Sequence, residues 1–86
     1  ARRVADDIEA SAREQLAAAR ERLQLAELEV AQARDRFRAG VAGNADVVTA
    51  SVSLNAARTA HVDALTQYQA ARVALARAQG DVTRLP

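Results

Sequence analysis

The sequence predicts an all-α fold in which two long antiparallel helices form a coiled-coil hairpin that packs with further hairpins. Three observations carry this. Ala, Leu, Gln, Glu and Arg, all strong helix formers, dominate the 86 residues, and 23 of them are Ala. Proline occurs only at Pro86 and glycine only at positions 40, 43 and 80, so there is one internal place for the chain to reverse. On either side of it the apolar residues recur at heptad spacing.

The first helix is expected over about 6–39. Asp6, Asp7 and Glu9 suit its positive end, and Arg34, Arg36 and Arg38 its negative end. At that length it spans on the order of 50 Å and needs lateral support from other helices. The turn is expected over 40–45, in the run Gly40-Val41-Ala42-Gly43-Asn44, with Asn44 or Asp46 capping the second helix. That helix is expected over about 46–79, with Gly80 as its stop. One short turn between two long helices makes an antiparallel hairpin.

In the first helix Ala12, Leu16, Ala19, Leu23, Ala26, Val30, Ala33 and Phe37 form the seam. In the second Val47, Ala50, Leu54, Ala57, His61, Ala64, Tyr68, Ala71, Leu75, Ala78 and Val82 repeat it. Folding at the turn pairs positions whose numbers sum to 83 or 84, so Phe37 meets Val47, Val30 meets Leu54, Ala26 meets Ala57 and Leu16 meets Tyr68. Large layers then alternate with alanine layers, which allows close backbone approach.

A second apolar face lies off this seam. Leu25 and Leu28, with Ala10, Ala17 and Ala18, face away from Leu23; Val48, Val52, Val62, Leu65 and Val73 do the same on the second helix. Between Asp46 and Gln79 only Asp46, Arg58, Asp63, Arg72 and Arg77 are charged. Such a surface is suited to packing against more helices.

Composition also excludes. Twelve Arg against eleven acids leave almost no net charge, so no basic field draws nucleic acid. There is no cysteine, hence no disulfide, thiolate metal site or thiol nucleophile, and no stretch of about 18 apolar residues that would insert in a bilayer. His61 stands on the seam without a second ligand at metal spacing and reads as structural, as does Tyr68 opposite Leu16. Gly40 and Gly43 follow no strand and precede no Lys, which removes a phosphate loop. The mixed acids and arginines of the first helix read as a solvated face with weak i, i+3 and i, i+4 pairs. No acid pair or Ser/His/Asp set has a pocket, so the chain reads as a non-enzyme without cofactor or metal.

The ordered run Phe37-Arg-Ala-Gly40-Val41-Ala-Gly43-Asn44-Ala-Asp46-Val47-Val48-Thr-Ala50, followed by Leu54, Ala57, Tyr68, Ala71, Leu75 and Gly80, resembles the TolC family of outer-membrane efflux proteins. The resemblance implies one periplasmic hairpin of an outer-membrane channel from a Gram-negative bacterium, walling an α-helical barrel assembled by a homotrimer with two hairpins per subunit. It also implies that the turn is a tip, formed by Phe37, Gly40, Val41, Gly43, Asn44, Asp46 and Val47, which docks a periplasmic adaptor (membrane fusion) protein. Asp46 is then the aperture candidate. Some relatives carry a basic residue two after the tip glycine and a second acid three after the aspartate; Ala42 and Thr49 stand there, which argues against a charge-linked gate. A free-standing hairpin dimerising into a four-helix scaffold bundle is the alternative. An adaptor's own hairpin ranks third, because Arg36, Arg38 and Val41 do not give its Arg, Leu and Ser tip pattern.

Overall fold

A computed structural model of the chain describes residues 2–84, with side chains as far as Gly80. It contains two helices, α1 (Arg2–Arg38) and α2 (Asn44–Arg84), packed antiparallel into a rod of 72 × 13 × 13 Å. Both are longer than the capping signals suggest. α1 begins at Arg2, upstream of Asp6 and Asp7, so its first turn holds no acid, whereas Arg36 and Arg38 stand in its last turn as expected. α2 continues through Gly80, because a single glycine costs a helix only about 1 kcal/mol when its neighbours favour the helix.

The reversal is made by residues 39–43. Gly40 has φ +75°, and the N–H groups of Val41 and Gly40 donate to the carbonyls of Arg36 (2.9 Å) and Phe37 (3.1 Å). This nested pair is a Schellman cap, whose left-handed residue glycine adopts without strain. The motif usually closes with an apolar contact from the residue after the glycine. Here that residue is Val41, set beside Arg36, and it is 78% exposed. The cap of α2 differs from expectation. Gly43 holds the position before Asn44 and its carbonyl accepts from the Asp46 N–H (3.2 Å), so Asn44 and Asp46 lie inside the first turn. Asp46 therefore acts on the helix through its charge.

No heavy atom outside its own backbone surroundings lies within 4 Å of a Cβ built on Gly40, Gly43 or Gly80. Their replacement by alanine thus tests backbone conformation alone. Gly40→Ala is expected to destabilise by about 1–2 kcal/mol, the cost of a left-handed non-glycine residue, and Gly80→Ala to stabilise by about 0.8–1.0 kcal/mol as a helix-interior substitution. Denaturant midpoints of the two variants moving in the same direction would contradict these assignments.

The core is the predicted seam. With Leu16 placed at heptad position a, every d position from Ala5 to Ala33 on α1 and from Ala50 to Ala78 on α2 is alanine, and all ten are buried or half-buried. Ala57, facing Ala26, is 0% exposed. The a positions carry the bulk, with Leu16 and Val30 buried and Leu23, Leu54, His61, Tyr68 and Leu75 half-buried. One seam residue departs from expectation. Phe37 is 49% exposed opposite a half-buried Val47, since it occupies the last layer of the seam, beside the turn. Val82 lies outside the described side chains.

Candidate functional site

Three surfaces are available to a partner: the turn, the outer edges of the two helices, and the two broad faces that flank the seam. At the turn, Gly40, Val41, Gly43, Asn44 and Asp46 are exposed along with Phe37, and Val47 is half-buried. The fold thus gathers all seven tip residues at one end of a rod. Among the described residues, the Asp46 carboxylate makes no side-chain hydrogen bond and no ion pair within 4.0 Å, although it lines a shallow groove with Arg36.

Along the outer edges the apolar side chains off the seam stay in water. Leu25 is 60% exposed and Leu28 53%, and Val48, Val52, Val62 and Val73 are exposed along α2, while Leu65, also exposed, stands at an e position on a broad face. The seam of one hairpin cannot cover them, because heptad geometry turns only a and d inward. The groove lined by Val4, Ile8, Ala70 and Ala74 adds an apolar patch near the open end, a surface the expected second face did not include.

One buried group escaped the sequence reading. Glu9 is 7% exposed. The signal was there: continuing the stripe back from Ala12 by 3 and then 4 residues reaches Glu9 and Ala5, so Glu9 occupies an a position facing Leu75. Arg13, one turn on, grips its carboxylate with two prongs, Nε to Oε1 at 3.3 Å and a terminal nitrogen to Oε2. That hydrogen bond from Arg13 holds the Glu9 pKa below its ordinary value, against the opposing effect of burial. The charge of Arg13, the Tyr68 hydroxyl and the charge of Arg72 lower it further. The guanidinium of Arg72 sits 5.9 Å above the Tyr68 ring, one turn away on α2. Arg13 is correspondingly pushed up.

His61 is half-buried in the seam, and no group of three His, Cys, Asp or Glu side chains able to hold a metal occurs among the described residues. No described helix is long and apolar enough to cross a membrane.

The chain was compared with protein families, curated proteins and solved structures. The family model described as outer membrane efflux protein matches residues 9–81, which takes in both helices and the turn. Neither the curated proteins nor the solved structures give a significant match. A helical hairpin with an uninterrupted alanine seam and a match over most of its length establishes the relationship, and the chain belongs to the outer membrane efflux protein family, a family of transport channels.

Proposed function

We propose that this hairpin is a stave in the periplasmic wall of an outer-membrane efflux channel and that its turn end docks a periplasmic adaptor protein. The observation that carries the reading is the row of exposed apolar side chains on the outer edges, from Leu25 and Leu28 on α1 to Val48, Val52, Val62 and Val73 on α2. A hairpin has two such edges, and side-by-side packing into a barrel buries both. The alanine d layers let the two helices approach closely, so that the stave is narrow, which suits a wall.

The tip residues suit docking for a related reason. Among the described residues Val41 is the most exposed large hydrophobic side chain, and the Schellman cap fixes its backbone at the turn. Phe37 stands beside the same turn, half in water. Asp46, without a side-chain partner among the described residues, is left to face the channel axis or a neighbouring tip as the aperture residue. In this reading the assembly is a homotrimer, as the family resemblance implies, and the hairpin lies in the periplasm.

The test is photocrosslinking from position 41 in the full-length protein, expressed in its native envelope. Capture of a periplasmic adaptor is expected. Self-capture at this position, or no capture from a protein found to be soluble, would overturn docking and favour a scaffold bundle.

A further inference from the structure

The two broad faces of the hairpin differ in charge. On the face marked by the groove between Glu27, Arg34, Ser51 and Arg58, the e positions of both helices converge. Between residue 13 and the turn they hold Arg13, Arg20 and Arg34 on α1, and Arg58 and Arg72 on α2, against the single acid Glu27. The seam register, which sets Ala12 and Gln15 against Gln67 and Ala71, keeps the α2 row beside the α1 row at the level of Arg13 and Arg72 too. Arg20, Arg34 and Arg58 are exposed and make no ion pair within 4.0 Å among the described residues. The opposite face, at the g and c positions, is balanced: Arg22, Arg36 and Arg77 against Glu29, Asp46 and Asp63.

We propose that the arginine face docks a helix of another protein segment that carries carboxylates at seven-residue spacing. The arginines of α1 extend over 21 residues, a distance of about 30 Å along the axis. Their repeat is that of a helix laid alongside. A small anion does not fit this pattern, because the arginines recur at intervals of seven or fourteen residues along each helix. A phosphate backbone does not fit either. Leu65, exposed at an e position between Arg58 and Arg72, calls for apolar cover, and the chain as a whole has a net charge of only +1. A second copy of this hairpin would bring either the same arginines or the balanced face. Its acidic row, Glu14, Glu21 and Asp35, lies on the outer edge of α1, which the wall reading gives to a neighbouring stave; the proposal rests on that reading for this step alone.

The experiment places a photocrosslinker at Arg58 in the full-length channel in its native envelope and maps the adduct by mass spectrometry. Probes at Ser53, on the balanced face, and at Val52, on the outer edge, serve as references. The expected adduct from Arg58 lies in a helix other than α1 with Asp or Glu every seven residues, and the double charge reversal R20E/R34E lowers its yield about tenfold, since opposing like charges suppress docking. The Ser53 and Val52 adducts should be unaffected, which verifies assembly of the variant. An adduct in a second copy of α1 or in an acid-poor segment, or a yield indifferent to charge reversal, overturns the proposal. Where Val52 captures a neighbouring hairpin and Arg58 fails, only the acidic partner falls; loss of the Val52 adduct in the unmodified channel overturns the wall reading itself.

Discussion

Replacing Ala57 by leucine is expected to destabilise the hairpin by about 1–3 kcal/mol, the range for adding methylenes to a filled core. Ala57 is 0% exposed and faces Ala26, itself buried, so neither helix has room to yield locally. The extra volume must part the helices, and the neighbouring layers at Leu23 and Val30 lose contact as they separate. The measurement is denaturant unfolding followed by far-ultraviolet circular dichroism, with Ala56→Leu as the reference. Ala56 is adjacent in sequence and exposed, and its replacement is expected to shift stability by no more than about 0.5 kcal/mol. Equal midpoints for the two variants would mean that the alanine layers do not set the helix separation.

The second large effect is expected at the open end, where Glu9 replaces an apolar residue in the seam. Its pKa in the fold lies below the ordinary value of 4.5, chiefly through the hydrogen bond from Arg13. As pH falls through the carboxyl range, the unfolded chain takes up this proton before the folded one, and the equilibrium moves toward unfolding. The stabilisation is therefore complete above the ordinary glutamate value and is lost as pH drops through the lowered folded value. Glu9→Gln should flatten this part of the pH profile. At neutral pH, Arg13→Ala should destabilise, because it strips the principal partner from a buried carboxylate, and Glu9→Leu in the same background should restore stability by returning an apolar residue to the a position. Unfolding midpoints across that pH range decide the matter; a Glu9→Gln profile parallel to the parent's would rule out this linkage.

Much of this architecture was legible in the residues. Helix-forming composition, a single glycine-bearing break and a 4, 3 stripe leave few alternatives to a hairpin, and the sums of 83 or 84 follow from the turn alone. The exposed edge residues were legible for the same reason, since periodicity states which side chains a and d cannot cover. Helix ends were less so. Asp6, Asn44 and Gly80 carry cap-like signals, yet α1 starts before Asp6, Gly43 takes the cap ahead of Asn44, and α2 passes through Gly80. Local preferences of about 1 kcal/mol yield to the continued packing of a long helix. Glu9 was missed because a charge interrupts an apolar pattern, although its spacing was correct.

By itself the sequence determined the two helices, their antiparallel register and the alanine layers, because these depend on periodicity and on one break in the chain. The tertiary structure decided the rest. It set Phe37 half in water at the turn end of the seam, buried the Glu9 carboxylate under the grip of Arg13, and put Arg13, Arg20, Arg34, Arg58 and Arg72 on one broad face and Arg22, Arg36 and Arg77 on the other, balanced one. Each of these depends on which side chains two helices bring together across their seam, and that juxtaposition exists only once both are in place.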